Sequence, residues 1–566
     1  MNLKKTYRLI PKERRRGLPK MVLSALCSAA VDLLGIAALV SVLLVVLDEN
    51  IVTNNPLVGK IYGALGFTSE SGFVVAVCVT VVALIALKGV LGVALSQVRA
   101  RYMLLLYADL SKRMYDNYLS RGLLFVRSHH TTTLVNNVNA VCHRFASGVV
   151  SSLLGILTEV IIVVTLLVLL SLYNPMIVAL ALAVFVPIAL LYSRIIRRRM
   201  VENGKEENRL QVGQNKTMYE ALRGYADIEI AGAKPTITKR FAKGIDSLRY
   251  YSLRAIRMRA ASSYVVEFSL VLGVVAVIIL GIAMGHSVGT LKLFLGVFAV
   301  AAYRIVPSIS RIVGGWTEYK RNSYVIDLLT EELSGEVEPT PQTSEKLPFN
   351  QSVELSRVSF GYTPEERVLD GYSLTIRKGE RVGIQGTSGK GKTTLFNLFA
   401  GLFVPAEGEL RVDGKAVDDP LKRRMWQNNV AYVSQDLFIP DQTIAENIAL
   451  GVERENIDPE RLARAIEAAR LGEFVASLPE GVDTITGEAG CRLSGGQRQR
   501  IGIARALYKE ASVLMFDEAT SSLDEKTERE VVEAVAGLSE SNRDLTILFI
   551  SHNARTLGFC DRIVEL

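Results

Sequence analysis

The sequence predicts two domains in series: a membrane α-helical domain of six spanning helices with long cytoplasmic extensions, then an α/β domain. Three observations lead there. Long apolar runs, each near the roughly 20 residues that a bilayer core demands, fill the chain up to about residue 315. Basic and cation-poor connections alternate between those runs. From about residue 351, short β-prone segments alternate with helical ones, the pattern of a largely parallel sheet. Between the two patterns, residues 331–350 carry Glu331-Glu332 and then Pro339, Pro341 and Pro348, which reads as a linker. The expected boundaries are therefore 1–330, 331–350 and 351–566.

The spans follow in order. A basic N-terminal tail precedes a first run from about Met21 to Leu47, broken only by Asp32. The second, Phe73 to about Leu95, contains Lys88, and the third, about Val149 to Tyr173, contains Glu159. Asn174-Pro175 turns the chain into a fourth, Met176 to Ile196. The fifth, about Ser263 to Met284, begins near Glu267, and the sixth runs from Val288 to about Val313. The stretches Arg99–Arg144 and Arg194–Arg259 are rich in cations, whereas residues 48–72 hold only Lys60. Positive charge stays in the cytoplasm, so both termini are expected inside. The two basic connections keep helical periodicity beyond the bilayer, with turns expected near Leu123–Asn136 and Leu222–Gly232. Outside, Leu57, Val58, Ile61, Tyr62 and Leu65 have helical spacing and fit either an interfacial helix or a packed loop.

Composition narrows the function classes. The net charge is +8, the pI about 9.1, the mean hydropathy +0.27 and 49% of residues are hydrophobic. The cations sit beside apolar runs, so topology explains them better than nucleic-acid binding. Cys27, Cys78, Cys142, Cys491 and Cys560 are scattered and form no C-x-x-C pair, which argues against a disulfide framework or a zinc site. No cleavable signal is evident.

In the second domain, strands are expected at Val353–Phe360, Arg381–Gln385, Glu409–Val412, Val430–Val433, Val513–Phe516, Thr546–Ile550 and Arg562–Glu565. Helices are expected at Thr394–Ala400, Pro459–Ala469, Gly496–Tyr508 and Asp524–Leu538. The strand Arg381–Gln385 enters Gly386-Thr387-Ser388-Gly389-Lys390-Gly391-Lys392-Thr393-Thr394, a G-x-x-x-x-G-K-T loop followed by an apolar helix. That context is what a phosphate loop requires. Its glycines turn backbone N–H groups around phosphate oxygens, and the helix N-terminus adds its positive end. Lys392 reaches the terminal phosphates and Thr393 offers a hydroxyl to Mg2+. Further elements occur in order: Tyr362 upstream, placed to stack on an adenine; Gln435 after Tyr432-Val433; Leu493-Ser494-Gly495-Gly496-Gln497 opening a helix; Asp517-Glu518 ending an apolar strand; His552 after Leu548-Phe549-Ile550.

Together these motifs resemble the ATP-binding cassette (ABC) family, from about residue 353 to the end. Six spans ahead of such a cassette resemble its exporter-type half-transporters, which extends the resemblance to nearly the whole chain. It implies an ATP hydrolase coupled to transmembrane transport, with ATP and Mg2+ as cofactors. Asp517 would hold Mg2+ together with Thr393 and Gln435, Glu518 would polarise the attacking water, and His552 would contact the γ-phosphate. Ser494, Gly495, Gly496 and Gln497 form a second anion site, which in the family closes on the nucleotide of another cassette. One cassette per chain then implies a homodimer, with Ser521-Ser522-Leu523-Asp524 along the seam. Lys390 departs from the family's usual small residue and points either to phosphate or to solvent. The sequence ends at Leu566, within or just after the last expected strand, where the resemblance would lead one to expect a short C-terminal extension. The implied setting is the inner membrane of a bacterium, multi-pass, with the cassette cytoplasmic.

Cargo is read from the sixth span. Arg304 and Arg311 are about two helical turns apart and share a face. Arg304 lies about 24 Å inward of Val288 at about 1.5 Å per residue, within reach of a lipid headgroup. Charges at such depth are costly and often functional. The alternative is that both arginines snorkel or pair with Glu267 or Asp32. Residues Ala302–Ile312 resemble the matching segment of flippases for lipid-linked oligosaccharides of protein glycosylation, which implies a polyprenyl-pyrophosphate glycan as substrate. A multidrug or lipid exporter of the same fold remains open, as does an ATP-gated channel or regulator, although intact Glu518 and His552 favour turnover. A soluble DNA-repair ATPase is excluded by the six spans.

Overall fold

The computed structural model describes residues 3–47, 58, 62–64, 66–67, 69–173, 175–283, 288–335, 341–363, 365–387, 389–520, 523–551 and 555–566. It divides into two compact units, Met1–Leu119 with His129–Val337, and Ser120–Ser128 with Glu338–Leu566.

In the first unit, the six apolar runs lie on helices Leu18–Leu47, Glu70–Ser120, Ser151–Tyr173, Pro175–Arg223, Lys234–Ala283 and Val288–Asn322. Four helical stretches among the described residues are long and apolar enough to cross a membrane. Glu70–Ser120 has 51 residues and Pro175–Arg223 has 49, so each extends far beyond the roughly 30 Å of a hydrocarbon core. The expected turns appear where glycine permits a left-handed backbone, at Gly122 (φ 82°) and Gly232 (φ 60°). Each leads into or out of a short helix, Gly122–Ser128 and Tyr225–Ile230. The third span is preceded by two π-helical segments, Asn137–Val141 and Phe145–Val150, which periodicity did not foretell. Most of the proposed outer interfacial stretch at 57–65 lies outside the described residues.

Among the described residues, the second unit holds nine strands: β1 (Ser352–Phe360), β2 (Leu369–Arg377), β3 (Arg381–Gln385), β4 (Glu407–Val412), β5 (Lys415–Ala416), β6 (Val430–Val433), β7 (Val513–Asp517), β8 (Thr546–Ile550) and β9 (Arg562–Glu565). The expected parallel sheet is present as β6-β7-β8-β3-β9, with Val382 beside Leu548 and Met515 beside Leu548 in the register. A second sheet, β2-β1-β4-β5, is antiparallel and takes β1 and β4 out of the largely parallel sheet expected from sequence. Strand β2 was not anticipated because Asp370 and Gly371 interrupt its alternation, although Leu374 and Ile376 are buried between exposed neighbours. Helix Pro420–Asn429 was also missed. Its polar sequence hides the start signal, Asp419 accepting from the Lys422 N–H with Pro420 in the first turn. One core packs Phe396, Phe399 and Trp426 against β1–β4, and Leu123 of the Ser120–Ser128 excursion joins it. The other surrounds Phe516 and Phe549, which stack at 5.1 Å between centroids. Together they fix the C-terminal ends of β3 and β7, from which the site projects.

Candidate nucleotide site

Strand β3 is buried at Val382, Gly383 and Ile384, so its end is rigid, and the phosphate loop starts there. Gly389 and Gly391 take φ of 87° and 90°, which side-chain-bearing residues rarely adopt. A Cβ on Gly391 would also stand 2.8 Å from Val368 Cγ1. These turns lead into helix Lys392–Phe399, whose first N–H groups have no intrahelical partners. Lys392 is 6% exposed; its ammonium donates to the Gly386 carbonyl at 2.8 Å and lies 3.9 Å from Glu518. Lys390 is exposed on the same loop, and among the described residues no carboxylate lies in ion-pair reach of it. Its N–H donates to the Thr387 carbonyl at 3.4 Å, while Ser388 lies outside the described residues.

Strand β7 is buried along its length and delivers two adjacent carboxylates to different surroundings. Asp517 is 2% exposed, accepts from the Tyr432 hydroxyl at 2.9 Å and bonds the Thr393 side chain. Burial raises its pKa above the usual carboxylate range, against the opposing pull of Tyr432 and Thr393. Glu518 sits at φ 50°, a strained left-handed conformation for a non-glycine residue. Its N–H is held by the Ile550 carbonyl at 3.1 Å, and its carboxylate accepts from Gln435 Nε2 at 2.9 Å. The strain turns the second carboxylate out of the strand direction. Tyr432 is the site residue the sequence reading missed; an aromatic hydroxyl closing the strand before Gln435 was the available signal.

Tyr362 packs edge-on against Phe360 and Phe403, with centroids at 5.5 and 5.9 Å, and its hydroxyl meets Thr394 Oγ1 at 2.9 Å. Tyr362 is 42% exposed as a residue, so surface remains for a base to stack on. The structure thus brings together Lys392, Thr393, Gln435, Asp517 and Glu518. Ser494–Gln497 forms a separate feature. Ser494 caps helix Gly495–Tyr508 by accepting from the Gln497 N–H at 3.2 Å, while Gln497 Oε1 accepts from the Ser494 N–H at 2.8 Å. Gly495 and Gly496 occupy its first turn, and among the described residues no hydrogen bond joins this cap to the phosphate-loop cluster. Asp524, expected along the seam at the other copy's nucleotide, caps helix Glu525–Ser541, accepting from the Thr527 N–H at 3.1 Å and its hydroxyl at 2.6 Å. His552, Ser521 and Ser522 lie outside the described residues.

In the membrane unit, one of the two expected cargo cations, Arg311, has an acidic partner among the described residues. Arg311 pairs with Glu159, with hydrogen-bond geometry at 3.2 Å, rather than with Glu267 or Asp32. Asp32 pairs with Lys88 at 2.9 Å. Arg304 lies on helix Val288–Asn322, but its side chain is outside what the structure describes.

The donors suit a magnesium nucleotide. A buried carboxylate beside a threonine hydroxyl, at the mouth of a glycine loop whose lysine is desolvated, is a hard-oxygen and phosphate environment. Comparison with known proteins agrees. Residues 369–521 match the ABC transporter family and residues 21–302 its transmembrane region. An ATP-dependent lipid A-core flippase of Cupriavidus pinatubonensis is 32% identical over 542 residues, covering 94% of this chain and 89% of that protein.

The chain belongs to the ABC transporter family.

A second relative, the ATP-dependent lipid A-core flippase of Dechloromonas aromatica, is 35% identical over 67% of this chain and 64% of its own length. In fold, this ABC transporter resembles a bacterial Atm1-family ABC exporter with ATP bound, at a TM-score of 0.77, 22% identity and 98% coverage of this chain. It is an exporter-type half-transporter, a helical membrane domain followed by a cassette that hydrolyses ATP and couples hydrolysis to transport.

Proposed function

We propose that two copies of this transporter form a homodimer that flips an anionic glycolipid across a bacterial inner membrane, with the cassettes and both termini cytoplasmic. The observation that carries this reading is the near full-length relationship to lipid A-core flippases. It favours a phosphorylated glycolipid of that type over the polyprenyl-pyrophosphate glycan suggested by Ala302–Ile312. The latter reading also loses support from Arg311, which Glu159 already neutralises.

In the cassette, Mg2+ would be held by the Thr393 hydroxyl, Gln435 and Asp517, and would neutralise phosphate charge. Lys392 is desolvated at the loop, so its attraction for the terminal phosphates is stronger than in water. Glu518 orients and polarises the attacking water from the end of β7, with Gln435 holding its carboxylate. Tyr362 stacks on the base. Ser494 to Gln497 present a helix N-terminus to the nucleotide of the other copy, so hydrolysis needs both chains. His552 completes the γ-phosphate contacts, and Lys390 adds a cation at the loop's outer edge.

The test is reconstitution into proteoliposomes with fluorescent lipids of three kinds: a phosphorylated lipid A-core glycolipid, a polyprenyl-pyrophosphate glycan and a zwitterionic phospholipid. ATP-dependent flipping of the first above the other two is expected. Faster flipping of the pyrophosphate glycan would reinstate that cargo. Hydrolysis stimulated only by uncharged amphiphiles would overturn the lipid reading in favour of a drug exporter.

A further inference from the structure

The short helix Tyr324–Ser334 follows the last long membrane helix and leads the chain toward the linker. Its first residue is 6% exposed, and its hydroxyl accepts from Arg144 Nη1 at 2.6 Å. Arg144 also donates to Asn208 Oδ1 at 3.0 Å and to Gln211 Oε1 at 2.5 Å. One guanidinium therefore joins three chain segments: the stretch before the third span, the cytoplasmic part of helix Pro175–Arg223, and the helix that leads to the cassette. All three acceptors are neutral, and among the described residues no carboxylate lies in ion-pair reach of Arg144. Such bonds depend on the planar fork of Arg, whose geometry Lys does not reproduce.

Two features tighten this joint. A Cβ on Gly204 would stand 1.9 Å from the Arg321 carbonyl, and one on Gly148 would stand 2.5 Å from Asn322 Nδ2, so the backbones approach closely just before Tyr324. Arg321 bonds Glu207 at 2.6 Å. Farther along, Asn137 Nδ2 donates to Glu332 Oε1 at 3.2 Å and Asn117 Nδ2 to the Glu332 carbonyl at 3.1 Å. One feature loosens it. Arg144 stands between π segments Asn137–Val141 and Phe145–Val150, and π turns are helix irregularities that recur at functional positions. Conversion of a π turn to α geometry shifts the register of everything beyond it by a fraction of a turn.

We propose that Arg144 is a positioning residue for coupling: it clasps helix Tyr324–Ser334 to the third and fourth membrane helices and transmits the ATP-driven change through the π segments. The assignment does not depend on which lipid is carried. Full-length transporter in nanodiscs should be compared with Tyr324→Phe, Arg144→Gln and Arg144→Lys by hydrogen exchange of residues 137–150, with and without ATP and vanadate. Basal ATP hydrolysis and melting temperature are read on the same samples. In the parent, trapping should change exchange of this stretch at least about 3-fold. Tyr324→Phe and Arg144→Gln should abolish that response while hydrolysis stays within about 2-fold, and Arg144→Lys should restore little of it. An unchanged exchange response in Tyr324→Phe and Arg144→Gln would overturn the proposal. So would a response lost only in proportion to hydrolysis and melting temperature, which marks a packing role. Tyr324→Phe removes a single oxygen and keeps the ring, so the test survives if Arg144→Gln fails to fold.

Discussion

Lys392 and Arg311 are both cations with a carboxylate beside them, and their surroundings differ. Lys392 has a side chain only 6% exposed, a backbone carbonyl at 2.8 Å and Glu518 at 3.9 Å. Arg311 is half exposed and in direct contact with Glu159, itself only 12% exposed. The cassette thus desolvates its cation at an open glycine loop, where phosphate is the natural counter-ion. The membrane domain has matched its cation with an acid of its own. Lys88 with Asp32 repeats that arrangement on the first two spans. The desolvated Lys392 at its glycine loop therefore reports chemistry, whereas a charge in a spanning helix reports function only after its partner is known.

Ways to break this comparison begin with the largest effect. Glu518→Gln should lower hydrolysis about 10²- to 10⁴-fold with nucleotide binding retained, because water polarisation is lost and the phosphate contacts remain. Steady-state hydrolysis and equilibrium ATP binding check this, and near-normal turnover would remove Glu518 from its role. Ser494→Arg comes next. In a homodimer with composite sites it should cut hydrolysis by at least about 10-fold, since a bulky cation at a helix N-terminus obstructs the other copy's nucleotide. Ser494→Ala separates the capping contribution, about 1 kcal/mol seen in thermal unfolding. Full hydrolysis by Ser494→Arg, or by a monomer in light scattering, would break the composite site.

The third concerns pH. Burial raises the Asp517 pKa, so its protonated form persists to higher pH than that of a solvated carboxylate. Mg2+ needs the ionised form, so apparent Mg2+ affinity in ATPase assays should weaken as pH falls, beginning above the usual carboxylate titration near about pH 4. Asp517→Asn should abolish that pH dependence together with most Mg2+ dependence. The linkage has a defined sign. A carboxylate with a raised folded pKa favours the folded state at low pH and opposes it as pH rises, so Mg2+ should stabilise the protein more at higher pH. The smallest effect sharpens the membrane side. Glu159→Gln should destabilise by roughly 1 kcal/mol, discounted because Arg311 is half exposed, and adding Arg311→Gln should recover most of it. Thermal unfolding in nanodiscs measures both. A Glu159→Gln variant of unchanged stability would mean that Arg311 is held elsewhere and is available to cargo.

Legibility followed the same division. Strands β3, β6, β8 and β9 have the bounds expected from sequence, because β-branched and aromatic runs there meet sharp turn signals. Lys392, Thr393, Gln435, Asp517 and Glu518, which the structure brings together, were legible because phosphate and magnesium chemistry uses those residue types and because the order of their motifs resembles that of the ABC family. Tyr432 was not, since a tyrosine in an apolar strand looks like core until its hydroxyl is seen on Asp517. Asp524 had a second role that was also legible, since its place just before Glu525-Lys526-Thr527 is that of a helix cap. In the membrane domain, hydropathy located the spans but not their partners. Asp32, Lys88, Glu159 and Arg311 were all visible as isolated charges, and only packing shows which helix meets which. The π segments left no mark at all, because a single extra residue in a turn changes no composition.

The central claim is that ATP hydrolysis at these cassettes drives flipping of an anionic glycolipid. The most direct measurement follows both activities in one preparation of proteoliposomes carrying fluorescent phosphoglycolipid, for the parent protein and Glu518→Gln. Flipping that requires ATP in the parent and disappears with hydrolysis in Glu518→Gln is the predicted result. Flipping that continues without ATP, or at the parental rate in Glu518→Gln, would contradict the account.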